Sequence, residues 1–156
     1  MAGVEVEITG LDDVVNRLQR LANPRKTKSI ARKASRQAMN IVRDAARNNA
    51  KAIDDPETSE KIWENIKVSA GKTRNPNQIK MRVGVDGGAA MNANSDRDAL
   101  AAKSGGNTNY WRFLEFGTSQ IPATPFMRLA LANNIQKVTD KFAESFSLEL
   151  DKELLK

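Results

Sequence analysis

The chain has 156 residues, 40% of them hydrophobic, and a formal net charge of +6, a length that suits one domain spanning residues 1–156. It contains no cysteine and no histidine, which excludes disulfides, zinc fingers, and Ser-His-Asp or Cys-His catalysis. No apolar stretch approaches the roughly 18 residues of a membrane span, and the opening MAGVEVEITG predicts no secretory signal.

The positive charge is concentrated in one part of the chain. Residues 17–51 hold eleven Lys and Arg and a single acid, Asp44, whereas the rest of the chain has a balance of −4. A basic segment on a mildly acidic body can bind a polyanion or a neighbouring acidic subunit.

The first residues predict a short strand followed by a helix. Val4, Val6 and Ile8 alternate with glutamates, which is typical of a half-buried strand. Thr9–Asp12 then matches a capping box, and a short helix is expected to follow to about Ala22.

Asn23-Pro24 predicts the start of a second helix, because asparagine caps helices and proline suits their first position. The helix should continue to about Ile53. Its apolar residues share one sector at 100° per residue, and its basic residues share the opposite one. The apolar sector holds Ile30, Ala34, Ala38, Ile41, Val42 and Ala45, and the basic sector holds Arg25, Lys28, Arg32, Arg36, Arg43 and Arg47.

Asp54-Asp55-Pro56-Glu57 ends that helix and is expected to cap a shorter one that continues through Glu64. Paired carboxylates could hold a hard cation, but acids at helix starts complement the helix dipole, so capping is favoured over metal binding. Further on, alternation predicts a hairpin of two strands. The first begins at Ile66 and Val68, and the second holds Ile79, Met81, Val83 and Val85.

Residues 86–109 are rich in Gly, Ala, Asn and Asp and are predicted to form a flexible loop. Tyr110–Phe116 is then expected to be an aromatic strand that ends at Gly117-Thr118. Thr124-Pro125 predicts the cap of one last long helix, with Thr124 satisfying its free N–H groups. The fold class is therefore α+β, a small antiparallel sheet with long amphipathic helices packed on one face.

One block of residues resembles a known family. Two stretches, Tyr110–Thr118 and Ile121–Leu131, are similar to the "EFGT … PFMRPAL" segment of siphophage minor tail proteins, also called neck or tail-completion proteins. The first contains Glu115-Phe116-Gly117-Thr118. The opening Val6–Leu11, the basic second helix and Val83-Gly84-Val85 also resemble that family in order. Ser59 and Leu129 depart from it, since glycine and proline are usual at those places.

The resemblance implies a structural subunit of a ring between the phage head and tail, with no catalysis, cofactor or metal. A hexamer is expected, with a dodecamer as the alternative. Expected partners are copies of the chain, neighbouring neck, tail-terminator and tail-tube proteins, and DNA in the channel; no membrane is involved. The chain is expected in the virion, and in the host cytoplasm during assembly.

The candidate interface or fold-defining residues come from the resembling block, and two interpretations of them stay open. The aromatic residues either all pack in the core, or one or two of them face a neighbouring subunit. The residues are Tyr110, Trp111, Phe113, Glu115, Phe116, Gly117, Thr118, Pro122, Pro125, Phe126 and Met127.

Two further features also have two interpretations each. The basic face of residues 25–47 is either an ordinary solvated face or a charged surface that meets DNA or an acidic neighbour. The loop 86–109 is either a plain insertion or a segment that orders on assembly. A different function remains as an alternative, a sequence-independent nucleic-acid-binding module that uses the basic helix 25–51. A nuclease using Asp54, Asp55 and Glu57 has no histidine base and no metal constellation to support it.

Overall fold

The computed structural model describes residues 23–88 and 93–155. The predicted first strand, capping box and first helix lie outside the described residues. Along the described residues the elements are α1 (Pro24–Lys51), α2 (Ile62–Asn65), β1 (Ile66–Ala70), β2 (Met81–Val85), α3 (Arg97–Ala101), α4 (Trp111–Phe116), α5 (Met127–Ala132) and α6 (Ile135–Leu154).

The helix α1 begins as predicted. Pro24 is at its first position, and the side-chain oxygen of Asn23 accepts a hydrogen bond from the backbone N–H of Arg25 at 3.0 Å. The helix ends at Lys51, close to the predicted Ile53. Its buried column consists mostly of alanine, which lets neighbouring elements approach its backbone closely. The column holds Ala34, Ala38, Val42, Ala46 and Ala50.

The helix α2 is shorter than predicted and starts later, with Lys61 at its cap position, so Asp54 reaches its N–H groups from eight residues upstream. The Asp54 carboxylate accepts hydrogen bonds from the backbone N–H groups of Ile62 at 3.1 Å and Trp63 at 3.3 Å. Asp54 therefore caps α2.

The predicted hairpin is confirmed. The strands β1 and β2 pair antiparallel, with Ile66 opposite Val85 and Ala70 opposite Met81. Ile66 and Val85 are buried in a core that also contains residues of α1, α2 and α5. That core consists of Val42, Ala46, Ala50, Ile62, Ile66, Val85, Phe126 and Ala130.

The helices α1 and α6 run antiparallel against each other. Lys26 pairs with Glu153 at 2.6 Å, and Lys33 pairs with Glu149 at 2.7 Å. Between them, Ala34 packs in a second buried cluster with Phe146 and Leu150. The predicted α+β class is thus confirmed, as a two-stranded antiparallel sheet packed with two long helices. No helix within the described ranges is long and apolar enough to cross a membrane.

Two predictions about the last third of the chain were wrong. Tyr110–Phe116 is not a strand; residues 111–116 form the helix α4. The last helix is not continuous from Pro125. It starts at Met127 and is interrupted at Asn133 and Asn134, where the Asn134 side chain donates to the carbonyl of Ala130 at 2.8 Å. An asparagine that bonds the backbone locally competes with helix propagation.

The segment 86–109 contains the helix α3, whose first N–H groups are capped by Asp96. The C-terminal end of this segment is bound to α2. The buried Asn65 side chain donates to the carbonyl of Gly106 at 2.9 Å and to the hydroxyl of Thr108 at 2.7 Å, and it accepts from the N–H of Gly105 at 3.1 Å. A side chain at position 105 would collide with the backbone of Lys61, so this contact requires glycine.

Candidate assembly surface

Glu115 joins α4 to α5. Its carboxylate accepts hydrogen bonds from three successive backbone N–H groups, those of Phe126 (2.8 Å), Met127 (2.9 Å) and Arg128 (3.0 Å). The side chain of Glu115 is only 1% exposed. The first N–H groups of α5 have no partner within the helix, so this carboxylate caps α5 from eleven residues upstream.

Arg128 completes this arrangement, which we call the Glu115 clamp. Its guanidinium donates from Nε to the Glu115 carboxylate at 3.0 Å and from Nη2 to the Glu115 carbonyl at 2.7 Å. Burial on its own would raise the pKa of Glu115, but the three backbone donors and Arg128 together hold it below its ordinary value of 4.5. The carboxylate is therefore charged at neutral pH.

The turn after α4 is equally constrained. Gly117 has φ +75°, and an added Cβ would lie 2.8 Å from the backbone nitrogen of Ala123 and 2.9 Å from the carbonyl oxygen of Ile121. Thr118 closes the turn, since its N–H donates to the carbonyl of Ile121 at 2.8 Å and its hydroxyl accepts from the N–H of Ile121 at 3.0 Å. Glu115, Gly117 and Thr118 of the resembling block thus each have a structural role.

Thr124 does not cap the last helix, contrary to the prediction. The cap position is Phe126, which makes no side-chain cap hydrogen bond, and Glu115 supplies the acceptor instead. The Thr124 backbone N–H donates to the carbonyl of Leu114 at 2.7 Å. This residue therefore fastens the turn back onto α4.

Four large apolar side chains carried by α4, the following turn and α5 are exposed, and we call them the apolar patch. They are Phe113 (42% exposed), Phe116 (62%), Ile121 (48%) and Leu129 (47%). Two cations lie over its rings, because the Arg112 guanidinium is 4.7 Å from the Phe113 centroid and that of Arg128 is 5.2 Å from the Phe116 centroid. The patch thus combines apolar side chains with two guanidinium groups, one of which, that of Arg128, is paired with Glu115.

The other predicted residues of the block lie inward or beside the patch. Phe126 is buried in the main core, and the Trp111 ring packs between Phe126 and Phe116, with centroids 6.3 and 6.5 Å away. The Trp111 indole N–H donates to the carbonyl of Gly88 at 2.9 Å. Burial, with help from nearby acids such as Asp54, raises the pKa of Tyr110. Met127 and Pro125 are half-buried, and Pro122 is exposed.

The six basic residues predicted on α1 do not form one uniform surface. Arg47 donates from Nε (3.1 Å) and Nη2 (2.9 Å) to the carbonyl of Ile66, and Lys28 donates to the carbonyl of Pro76, so both bind the hairpin. Arg43 pairs with Asp44 at 2.8 Å. Arg25, Arg32 and Arg36 are the exposed members of the set.

Two features of this region were not predicted from the sequence. The capping role of Glu115 has no local signal, because a capping box connects residues only three apart. The contact of Arg128 with Glu115 has no local signal either, because the two residues are thirteen apart in sequence. In residues 23–88 and 93–155, no three acidic side chains converge as they would around a metal ion.

Comparison with known proteins gives one match. Residues 12–117 match the family model HK97-gp10-like, which is described as "Bacteriophage HK97-gp10, putative tail-component". No curated protein and no solved structure matches the chain at a significant level. The matched residues make up about two thirds of the chain and end at Gly117, the glycine of the clamp turn. The chain belongs to the HK97-gp10-like family of bacteriophage tail components.

Proposed function

We propose that this chain is a structural subunit of a neck or tail-completion ring that helps to join the tail of a long-tailed phage to its head. The observation that carries the proposal is the apolar patch, in which four large side chains are 42–62% exposed although the clamp that joins α4 to α5 is fully bonded. Exposed apolar side chains grouped on an ordered support are typical of protein interaction sites.

The proposed assembly is a ring of identical subunits, in which a patch on one subunit meets a different surface on the next. A hexamer is favoured, because the sequence resembles proteins of siphophage tails and those tails have six-fold symmetry. A dodecamer is the second choice. Neighbouring neck, tail-terminator and tail-tube proteins are the proposed partners above and below. The proposed location is the virion, with the free subunit in the host cytoplasm during assembly.

The first experiment is native mass measurement and negative-stain imaging of the purified protein, alone and mixed with phage tails that lack their head-proximal end. Rings, or added density at that tail end, are expected, and they would give the copy number. A protein that stays monomeric and adds nothing to tails would contradict the proposed function.

A pair of double variants tests whether the apolar patch is the contact. Phe113→Ser with Phe116→Ser should abolish ring formation or tail binding while leaving the fold intact, because both side chains are exposed. The matched control is Leu148→Ser with Leu154→Ser, which removes two residues of α6 that are 52% and 51% exposed. Equal assembly by both variants would argue against the patch as the interface.

A second function is supported by the exposed arginines of α1. Arg25, Arg32 and Arg36 make no ion pair within the described residues, as would suit a sequence-independent nucleic-acid-binding module that works without a ring. Such a module would remain monomeric, add nothing to tails and bind duplex DNA with a steep dependence on salt.

A further inference from the structure

The hairpin is as one-sided in charge as α1. Residues 66–85 contain five Lys and Arg and no acid. One of the five, Lys67, pairs with Asp86 at 2.8 Å. The other four are exposed and make no ion pair within the described part of the chain; they are Lys72, Arg74, Lys80 and Arg82.

The strand register places the hairpin charges away from the core. Ile66 and Val85 form one opposed pair and are buried, so the pairs at alternate positions point to the other face. On that face, Arg82 lies opposite Ser69 and both are exposed. The cations of the strands therefore line the outer side of the hairpin.

Two contacts place the hairpin alongside α1. Lys28, near the start of α1, bonds the carbonyl of Pro76 in the turn between the strands, and Arg47, near its end, bonds the carbonyl of Ile66 at the start of β1. Arg32 and Arg36 lie between these two anchors along α1 and are exposed. The exposed cations of α1 and those of the hairpin thus belong to adjoining surfaces.

The acids that contact these two elements pair with other cations than Arg32, Arg36 and the four exposed cations of the hairpin. Glu153 and Glu149 of α6 pair with Lys26 and Lys33. The single acid of α1, Asp44, already pairs with Arg43 at 2.8 Å. Asp86, which follows β2, pairs with Lys67 at 2.8 Å and Lys103 at 3.2 Å, and the hydrogen bond from Lys67, opposed by burial, lowers the pKa of its carboxyl. Within the described residues, no paired acid therefore neutralises Arg32, Arg36 or the four exposed cations of the hairpin, and their charge can attract anions from solvent.

We propose that α1 and the hairpin together form one surface that binds the phosphate backbone of duplex DNA without reading its sequence. The residues we assign to it are Arg32, Arg36, Lys72, Arg74, Lys80 and Arg82. The inference rests on the proposed function, because a ring that joins tail to head lies on the path that the DNA must take. It adds the hairpin as the second half of the contact.

The composition of the surface favours duplex DNA over other partners. A protein interface has an apolar centre, yet no large apolar side chain that is exposed lies within residues 23–85. Single-stranded nucleic acid is held by stacking on aromatic rings, and residues 66–85 contain no aromatic residue. Paired strands with basic side chains are suited to phosphate contact along a duplex.

The test is fluorescence anisotropy of the full chain with two labelled duplexes of about 20 base pairs and unrelated sequence, over a series of salt concentrations. Equal affinity for both duplexes is expected. Arg74→Gln with Arg82→Gln should weaken binding at least about tenfold at low salt and reduce the salt slope by about 1 to 2, because each phosphate contact contributes about 0.9. Arg32→Gln with Arg36→Gln is expected to lower the affinity and the salt slope by similar amounts. It serves as the second variant if the first does not fold.

The matched control is Arg97→Gln with Lys137→Gln, which lowers the net charge equally at two exposed positions on α3 and α6. It should change the affinity by less than about twofold. Absence of duplex binding by the unmodified protein, or an equal loss in control and hairpin variants, would overturn the inference.

Tail binding of the same variants separates this inference from the proposed function. A hairpin variant that docks on tails normally but loses DNA affinity supports both. One that loses tail docking and keeps its DNA affinity shows an acidic protein partner, which overturns the DNA contact and leaves the ring proposal standing. An unmodified protein that binds DNA through this surface and never joins tails overturns the ring proposal.

Discussion

Glu115 is a charged side chain placed where water cannot reach it. An unpaired carboxylate in that position would cost several kcal/mol, but four donors from three residues compensate for the lost hydration. Three of these donors are backbone N–H groups, which would themselves be unsatisfied without the carboxylate. The residue therefore stabilises its own charge and the start of α5 at once.

Replacing Glu115 by Gln should destabilise the protein by about 2–3 kcal/mol, because hydrogen bonds to a charged acceptor are lost and an amide N–H faces backbone donors. Urea unfolding at neutral pH measures the difference. Glu57→Gln is the control, since Glu57 is exposed and its change should stay within about 0.5 kcal/mol. Similar losses in the two variants would refute the clamp.

The difference in stability between the unmodified protein and Glu115→Gln should depend on pH. Because the pKa of Glu115 is lowered in the folded state, its contribution is fully present above its ordinary value of 4.5 and is lost as pH falls through the lower folded value. The stability advantage of the unmodified protein over Glu115→Gln should be constant between about pH 6 and 8 and shrink in acid below about pH 4.5. An advantage that persists unchanged in strong acid would contradict this assignment.

Gly117→Ala tests the turn and should cost more than about 2 kcal/mol, since it combines a positive φ with close backbone contacts. Gly88→Ala is the matched control, because Gly88 has φ +81° but nothing within 4 Å of an added Cβ. Its cost should be about 1 kcal/mol. The difference between their melting curves isolates the close approach, and identical curves would show that φ alone matters.

Residue roles were predictable here only where the interaction is local. The Asn23 cap follows from neighbouring sequence and was confirmed, whereas Asp54 binds the start of α2 from eight residues away and not at the helix start that was predicted. Thr124 was the local choice for capping the last helix and was wrong, because Glu115 reaches the same N–H groups through the fold. A contact across eleven residues has no periodic or spacing signal.

At the scale of elements, the stability of the contact between α1 and α6 depends on how closely the two helices approach. The ion pairs of Lys26 and Lys33 join the two helices, but both lysines are more than half exposed, so water screens these pairs and they stabilise the contact little. The packing of Ala34 against Phe146 and Leu150 contributes more, because buried apolar side chains contribute about 1.5–3 kcal/mol each.

Ala34→Leu should therefore push α6 away from α1 and cost about 1–3 kcal/mol, as overpacked cores do. Ala34 is 0% exposed. Ala143→Leu on the exposed side of α6 makes the same chemical change without a neighbour to displace, and it should be nearly neutral. Thermal unfolding compares the two, and a tolerated leucine at position 34 would mean that the helices are not closely packed there.

The elements also show which sequence signals decide structure. The helix α1 and the hairpin carry long periodic patterns and their own start signals, and both were predicted correctly. Trp111–Phe116 is a run of six residues, mostly aromatic or apolar, too short for periodicity to separate strand from helix. Its helical form depends on tertiary contacts of Glu115 and Trp111, which a local pattern does not contain.

On the scale of the whole molecule, the two proposed contact regions use different chemistry. The apolar patch is carried by α4, the following turn and α5, whereas the proposed DNA-binding surface is carried by α1 and the hairpin. Apolar contact is little affected by salt, and phosphate contact depends on it strongly. The two activities can therefore be measured separately in one protein.

We expect the two sets of variants to separate these activities. Phe113→Ser with Phe116→Ser should lose assembly and keep its DNA affinity, and Arg74→Gln with Arg82→Gln should lose DNA affinity and keep assembly. The effects of mutations at separate sites that share no contacts usually add. Native mass and anisotropy on the two variants and the unmodified protein check this, and loss of both activities in either variant would show that the surfaces are coupled.

The Glu115 clamp also bears on the speed of docking. It fixes the end of α4, the turn and the start of α5 to one carboxylate, so the patch has its final shape in the free subunit. Ordering a flexible side chain on binding costs about 0.5–1.5 kcal/mol, and a preorganised surface avoids much of that cost. Docking through this face should therefore proceed as rigid-body association, limited by collision and orientation.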